Sequence, residues 1–455
     1  MVVVPGIMGS QLWDTQDERL VWGSAGAVVR SWLGGGPLKA MHLAPGQWED
    51  RRPRIIPKGL ITGPVWLPEL RGLEPYTGLV RELARVVAAP EALRTFPYDW
   101  RLPLRHNAAL LGEAVQEHLD QWRRHTAAAP DARVVLVAHS MGGLLARYFT
   151  EILGGSAVVR RTFTIGTPFY GAVKAAVMLN QGRGTPMPLP HLRVRALAAT
   201  LPAVHDLLPT YRCLITPTGI RRLTEHDIVA LGGDPYLARL SRDTHRDLEG
   251  AGTHGLHTVV GLGQLTAQSM TFDHDQVTAL PTLPEDGGDP GLAPDRDGDE
   301  TVYSESAAGQ VDPLHYVCQT HGGLASTPEV AFQIVERLVG RRNKPPLGEA
   351  PAPLGLDLPD AVRVGDPFTV RVLGSADPRG TRLQVEVADT DQRVAVPDLS
   401  ADRAASADQP AITGRIVLRR AGLYRVSVTR GAPSPVSQLI MALPSDVLAP
   451  GQANA

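Results

Sequence analysis

Ser140 lies two residues after Ala138 and two residues before Gly142, shortly after an apolar stretch of the chain. The run Val134–Val137 predicts a buried strand, and Leu144–Ile152 predicts a helix. Gly142 and Gly143 permit a tight turn between the two, which raises the serine hydroxyl out of the sheet. The pattern is A-x-S-x-G, a variant of the G-x-S-x-G nucleophile elbow, and its strand–turn–helix setting favours it over a solvated serine in an ordinary turn. We therefore predict that Ser140 is a catalytic nucleophile.

A serine hydroxyl is a weak nucleophile at neutral pH, so it needs a base, and the base needs an acid that orients it. In enzymes with this elbow, the acid and then the histidine follow the serine along the chain. Two histidines near the start of a predicted strand, His254 and His257, and one before the acidic loop, His274, are poor candidates for the base. His315 and His321 remain as candidates. His321 lies in a loop shortly before a predicted helix, Glu329–Val339, where its imidazole can reach across. We predict His321 as the base; a surface histidine is the alternative interpretation.

The acid is predicted in an acidic loop that offers three aspartates. Asp299 stands where this loop re-enters the apolar framework, and Asp297 is the second candidate. A calcium-binding loop is the competing interpretation, because D-x-D-x-D opens an EF-hand. Counted from Asp295, however, the sixth residue is Glu300 instead of glycine, and the twelfth is Ser306 instead of glutamate. We therefore predict Asp299 as the acid and no metal site.

The elements that must hold these residues alternate between strands and helices along the first 340 residues. This alternation predicts an α/β fold with a mostly parallel sheet covered by helices. Two insertions interrupt it. Residues 13–66 read as irregular and carry five of the seven tryptophans, which suit either an acyl chain or membrane surface, or plain core packing. Residues 178–250 have the composition of a lid or cap.

The composition changes after Gly340. Residues 344–354 read as a linker, and residues 355–445 alternate between apolar and polar positions. This alternation predicts a C-terminal all-β, immunoglobulin-like sandwich, whose partner the sequence leaves unknown. Residues 1–343 would then form the catalytic domain. The predicted strands of the sandwich are Pro367–Leu373, Arg382–Val387, Ala411–Leu418, Gly422–Thr429 and Val436–Ala442.

Length and composition limit the class of protein. A chain of 455 residues predicts two domains, and 43% hydrophobic with 20% charged residues excludes a disordered chain. A net charge of −2 gives no reason to expect nucleic acid as a partner. Cys213 and Cys318 have no metal-type spacing and require no disulfide, and nothing implies a cofactor.

The sequence shows neither an apolar run long enough to span a bilayer nor the basic segment of a signal peptide. These observations predict a cytoplasmic protein. Peripheral attachment to a membrane, and a signal encoded upstream of the given start, are left open.

The ordered motifs of the first 340 residues are similar to those of the lecithin:cholesterol acyltransferase family, which includes phospholipid:diacylglycerol acyltransferases and lysosomal phospholipase A2-type enzymes. Any one motif is moderately specific, and their shared order makes the resemblance strong. The motifs are Val3–Leu12, Pro97–Leu102, Ala138–Gly143, Ile165–Pro168, Leu207–Pro209, Asp297–Val302 and His321.

The resemblance implies an α/β-hydrolase fold with lid and cap insertions. It implies Ser140 as nucleophile, Asp299 as acid and His321 as base, with an oxyanion hole formed by the backbone N–H groups of Ile7 and Met141. The insertion at 13–66 would correspond to the family's membrane-binding subdomain, and the segment near 178–200 to its lid. The implied function is serine-dependent transfer of a fatty acyl group from a lipid ester to an alcohol or to water, with no cofactor.

The chain departs from the family pattern in two places. No cysteine precedes Cys213, so the cysteine pair that pins the membrane-binding subdomain in animal members has no counterpart. Glu300 stands where the family often has a glycine. The alternatives are a carboxylesterase or a peptidase on the same fold, and a catalytically inactive scaffold; the sequence leaves transferase and hydrolase activity unresolved.

Overall fold

A computed structural model describes residues 1–24, 39–44, 46, 53–67, 71–181, 191–285, 293–340, 354–406, 410–430 and 434–444. Three sequence predictions fall wholly or partly outside these ranges. They concern the linker up to residue 353, two tryptophans of the first insertion (Trp32 and Trp48), and residues 182–190 of the cap.

The strands of the described residues are numbered along the chain. They are β1 (Val2–Val4), β2 (Ser10–Asp14), β3 (Arg19–Trp22), β4 (Ile55–Leu60), β5 (Val65–Leu67), β6 (Arg71–Leu73), β7 (Arg94–Thr95), β8 (Val134–His139), β9 (Val159–Ile165), β10 (Leu214–Thr216), β11 (Gly219–Arg221), β12 (Leu256–Leu262), β13 (Ser269–Asp273), β14 (Gln276–Leu280), β15 (His315–Cys318), β16 (Gly355–Asp357), β17 (Ala361–Arg363), β18 (Pro367–Leu373), β19 (Arg382–Val387), β20 (Arg393–Ala395), β21 (Leu399–Ala401), β22 (Ala411–Val417), β23 (Gly422–Thr429) and β24 (Val436–Leu443).

The helices are numbered in the same way. They are α1 (Thr77–Ala84), α2 (Leu104–Arg123), α3 (Met141–Glu151), α4 (Val173–Asn180), α5 (His191–Ala198), α6 (Pro202–Asp206), α7 (Glu225–Leu231), α8 (Pro235–Leu248), α9 (Ser304–Ala308), α10 (His321–Leu324) and α11 (Pro328–Val339).

A parallel sheet of six strands, in the order β15-β12-β9-β8-β1-β7, forms the centre of the molecule. Its middle strands are almost entirely apolar and buried, as a strand covered on both faces must be. Helix α3 packs against β8, β9 and β1, and α2 packs against α3. The predicted α/β class with a mostly parallel sheet is therefore confirmed.

The sequence predicted that the first insertion is irregular, and this prediction is wrong. Strands β3, β2 and β4 form an antiparallel sheet, and β5 pairs with β6. The register shifts in both pairings of β2, and a proline lies within β4, so the period-two pattern that identifies a strand is broken.

The tryptophans of this insertion that the structure describes serve different contacts. Trp22 and Trp66 are fully buried. Trp22 donates its indole N–H to the carbonyl of Met8 and meets Trp100 edge-to-face at 5.5 Å. Trp13 lies nearer the surface, with the ammonium of Lys58 4.1 Å from its ring centroid. Core packing thus accounts for the two buried rings.

The predicted C-terminal β-sheets are confirmed. One sheet has the order β16-β18-β22-β21, and the other has the order β17-β24-β23-β19-β20. Within these two sheets, the described strands pair antiparallel except for the parallel pair β17–β24. Their inward side chains share one apolar core, which includes Val370, Val385, Ile412 and Ile440. We call residues 354–444 the C-terminal sheets. Strand β24 packs against β5, β6 and α10 of the preceding part of the chain.

Candidate active site

The turn at Ser140 joins β8 to α3 and brings the serine to the carboxyl edge of the central sheet. Ser140 has φ 53° and ψ −127°, a backbone conformation that costs energy for any residue with a side chain. Glycines make the turn possible: a Cβ on Gly142 would lie 2.4 Å from the carbonyl oxygen of Pro5, and one on Gly143 would lie 1.9 Å from Thr167 Oγ1. The first turn of α3 therefore packs directly against the backbone after β1.

Replacing Gly142 by alanine is expected to destabilise the protein by about 3 kcal/mol, the upper range for overpacking, because the new methyl group meets backbone atoms of Val4 and Pro5 that cannot rotate away. The measurement is the urea midpoint of unfolding. Gly78→Ala in α1 is the control: its Cβ would meet Ser326 O at 3.8 Å, an ordinary contact, so this variant should equal or slightly exceed the wild type in stability. Equal midpoints for the two variants would contradict the packing argument.

Ser140, His321 and Asp299 form one hydrogen-bonded chain. The serine Oγ lies 2.8 Å from His321 Nε2, and His321 Nδ1 lies 2.8 Å from Asp299 Oδ2. Asp299 is fully buried, and its other oxygen accepts the backbone N–H groups of Thr301 (3.0 Å) and Val302 (2.7 Å). Because a carboxylate only accepts, Nδ1 carries the proton and Nε2 is left to accept from the serine. The structure thus brings the three predicted side chains together in the order that proton abstraction needs.

The second candidates for acid and base lie elsewhere. Asp297 accepts the N–H groups of Gly263 and Gly298, both at 2.6 Å, and burial raises the pKa of its carboxyl group. His315 lies at the start of β15, where its imidazole contacts the carboxylate of Glu329 at 2.7 Å. Neither side chain contacts the nucleophile. Over the described ranges, no group of three or more His, Cys, Asp or Glu residues could hold a metal ion.

A second hydrogen-bonded chain runs behind Ser140, and no sequence pattern predicted it. His139 is fully buried next to Ser140, and burial, together with the neighbouring His321, lowers its pKa to about 3. Its Nε2–H donates to the carbonyl oxygen of His321 at 3.1 Å, since a carbonyl can only accept. Its Nδ1 therefore accepts from the Tyr76 hydroxyl at 2.9 Å, and that hydroxyl accepts the Gly6 N–H at 2.9 Å. The neutral imidazole thus connects the loop after β1 with the loop of the base.

Replacing Tyr76 by phenylalanine is expected to lower kcat about tenfold with little change in KM, because the Gly6 N–H and His139 Nδ1 lose their shared partner and each unsatisfied buried group costs about 1–3 kcal/mol. The measurement is kcat per active site, titrated with a fluorophosphonate. Tyr424→Phe is the control, since that hydroxyl donates to Arg420 O within the C-terminal sheets. A kcat equal to that of the wild type would show that the chain behind the serine does not affect catalysis.

Both predicted oxyanion donors border Ser140. Met141 is the first residue of α3, whose leading N–H groups have no acceptor within the helix and carry the positive end of its dipole. The turn of Gly6, Ile7 and Met8 lies against the other side: a Cβ on Gly6 would be 2.8 Å from that of Ser140. Ile7 and Met8 line the cavity beside the hydroxyl, with Met8 at φ 67°. The role of the Ile7 and Met141 amides remains a prediction.

The cavity beside the serine is small, about 40 Å³, and Lys174 in its lining forms a buried ion pair. Lys174 Nζ lies 3.2 Å from a carboxylate oxygen of Glu300 and 3.3 Å from Thr301 Oγ1. Glu300 has φ 83°, a region that favours glycine, which accounts for the glycine that the family often has at this position. The lining residues are Ile7, Met8, Gly72, Leu73, His139, Ser140, Pro168, Ala172, Lys174, Ala175, Leu207, Thr301, His321 and Gly322.

One family model matches part of the chain. Residues 67–229, which include Ser140, match the family model described as lecithin:cholesterol acyltransferase. Over these residues the chain resembles lecithin:cholesterol acyltransferase-like α/β-hydrolases. The match supports an enzyme of the acyltransferase or lipase type. No curated protein matches the chain.

Solved structures resemble this chain at low sequence identity. A crystal structure of the Tle4-Tli4 complex covers 74% of this chain and 97% of its own at 14% identity and a TM-score of 0.51, a likeness of fold alone. The lipase BlEst2 of Bacillus licheniformis, in its mature form, covers 74% and 90% at 11% identity and a TM-score of 0.33. None of the helices in the described ranges has the length and apolar character that crossing a membrane requires.

Proposed function

We propose that the protein is a serine-dependent O-acyltransferase or lipase, which moves a fatty acyl group from a lipid ester to an alcohol or to water through an acyl-Ser140 intermediate. The observation that supports it most is the chain of 2.8 Å contacts from Ser140 through His321 to Asp299. The family match over residues 67–229 supports the lipid ester as substrate class.

In the proposed reaction, Ser140 Oγ bonds to the ester carbonyl carbon while His321 Nε2 takes the hydroxyl proton. Asp299 holds the imidazole in the required tautomer and stabilises its charged form. The N–H groups of Ile7 and Met141 stabilise the tetrahedral oxyanion, each donor being worth about 3 kcal/mol in other serine enzymes. When this intermediate collapses, the bond to the departing alcohol breaks and the alcohol takes the proton from His321. A second alcohol, or water, then attacks the acyl-enzyme by the same steps in reverse.

The experiment is incubation of the full chain with phospholipid vesicles and a long-chain alcohol, with the Ser140→Ala variant as control. An acyl-alcohol product would identify a transferase, and free fatty acid alone would identify a lipase. If neither forms with the wild type, or if the variant forms as much as the wild type, the proposal is wrong.

A carboxylesterase acting on short acyl groups is the second candidate. The cavity of about 40 Å³ and the Lys174 side chain in its lining, which pairs with Glu300, suit a short or polar acyl group better than a long chain. A series of p-nitrophenyl esters separates the two candidates. Rates that fall as the acyl chain lengthens would favour the esterase, and rates that rise with chain length would favour the lipid substrate.

A further inference from the structure

Gln264, a buried glutamine behind the loop of the acid, is hydrogen-bonded to the first residues of the C-terminal sheets. Its Nε2 donates to the carbonyl oxygen of Leu354 at 2.9 Å, and its Oε1 accepts the backbone N–H of Leu356 at 3.0 Å. The same residue donates its own backbone N–H to Gly298 O at 3.0 Å and pairs with Asp299 in an isolated β-bridge. The carboxamide therefore joins the backbone beside the acid to the strand β16.

Gln319, which lies two residues before the base, repeats this arrangement with another strand. Its Nε2 donates to Pro435 O at 2.9 Å, and its Oε1 accepts the backbone N–H of Ser437 at 3.0 Å. In both places one carboxamide pairs with the carbonyl of one residue and the N–H of the residue two positions later. Thr320 adds a hydrogen bond from its hydroxyl to Ser437 O. The loop that ends in His321 is thus bonded along the start of β24.

Apolar packing and one ion pair tie β24 and its neighbour β23 to the same loop. A Cβ on Gly72 would lie 2.3 Å from the Leu439 side chain, and a Cβ on Gly322 would lie 1.6 Å from Gly72 O. Strand β6 is therefore in direct contact with both β24 and α10. Glu74 donates its backbone N–H to Gly322 O at 3.1 Å. The carboxylate of Glu74 is bound by the guanidinium of Arg425 in β23, with Nη2 at 2.8 Å.

We propose that Gln264 and Gln319 are positioning residues: by binding β16 and the start of β24, they hold the loops of Asp299 and His321 at the distance the proton transfer needs. The inference rests on the proposed function, in which Asp299 is the acid and His321 is the base. We call these two glutamines the clamps. Losing the carboxamide of a clamp leaves polar backbone groups buried without partners, which costs about 1–3 kcal/mol for each group and lets the loop shift. Displacement of a catalytic group by about 1 Å is enough to lower a rate about 100-fold.

The test compares Gln264→Met, Gln319→Met and the double variant, because methionine keeps the volume of glutamine and removes every hydrogen bond of the carboxamide. For Gln319 these include the bonds to Thr320 N and Thr327 Oγ1 within its own segment. For each single variant we expect kcat per titrated active site to fall about 10- to 100-fold with KM within about twofold, since positioning acts on the transition state and not on uniform binding. Gln384→Met is the matched control, because that carboxamide bonds to Glu386 within the C-terminal sheets. Its kcat should equal that of the wild type.

A second measurement does not depend on turnover. Amide hydrogen exchange of residues 297–302 and 319–324 should be faster in the two clamp variants and unchanged in the control, even if no ester substrate is found. If Gln319→Met does not fold, Thr320→Val tests the same loop by removing the hydroxyl that donates to Ser437 O and lies 3.5 Å from Gln319 Oε1, while the carboxamide of Gln319 is retained. Wild-type kcat and wild-type exchange in the clamp variants would overturn the inference. Turnover that survives in Ser140→Ala would instead overturn the proposed function and leave the exchange result to decide on the clamps.

Discussion

Replacing Ser140 by alanine is expected to lower kcat about 10⁶-fold, the loss seen when the nucleophile of a comparable serine enzyme is removed. Alanine has no oxygen to form the acyl-enzyme, while the 2.8 Å contact between His321 and Asp299 can persist without it. Substrate binding should change little, because the methyl group is smaller than the side chain it replaces. The measurements are ester turnover and covalent labelling by a fluorophosphonate, and both should be lost together.

The matched control is Ser400→Ala, which removes a hydroxyl from the C-terminal sheets, where it contacts Thr413 at 3.4 Å. This variant should retain turnover and labelling at the level of the wild type. Labelling that persists in Ser140→Ala would show that another residue is the nucleophile, and the assignment of the whole chain of side chains would then be wrong.

The elbow could be predicted because its signal is local. A buried strand, a serine among glycines and a helix follow one another within about twenty residues, and each has its own period. Five of the nine C-terminal strands in the described residues were predictable for the same reason: β18 alternates buried positions with exposed or half-buried ones, and Pro367–Leu373 is both the predicted and the observed range. Helix ends were placed less well, since the helix predicted over Leu144–Ile152 is α3, which begins at Met141 and ends at Glu151.

Contacts between distant segments could not be predicted from one sequence. The hydroxyl of Tyr76 meets an imidazole 63 positions away, and the carboxamide of Gln319 meets a backbone 118 positions away, with no local pattern that marks either residue. The sheet β3-β2-β4 was not predicted, because β2 pairs with β4 about forty residues later and both pairings of β2 contain a shift of register. Sequence order was enough to select Asp299 and His321, whereas their support depends on the tertiary fold.

Replacing Asp299 by asparagine is expected to lower kcat about 10⁴-fold with little change in KM, as in a serine enzyme whose triad aspartate is converted to the amide. The N–H groups of Thr301 and Val302 require an acceptor, so the amide oxygen of asparagine would take the place of Oδ1. The NH₂ group would then face His321. A donor at that position forces the proton of the imidazole from Nδ1 to Nε2, the nitrogen that must accept from Ser140. The measurement is kcat per titrated active site.

Asp297→Asn is the control that tests the choice between the two aspartates. Asp297 Oδ1 accepts the N–H groups of Gly263 and Gly298, and an amide oxygen can accept both, so its local bonds survive the substitution. We therefore expect kcat to stay within about threefold of the wild type, the range of effects on a residue that does not touch the imidazole. The reverse result, a large loss in Asp297→Asn and a small one in Asp299→Asn, would move the role of the acid to Asp297. Because the two variants differ only in which carboxylate is neutralised, a difference of several thousand-fold between them can arise only from the group that His321 Nδ1 contacts.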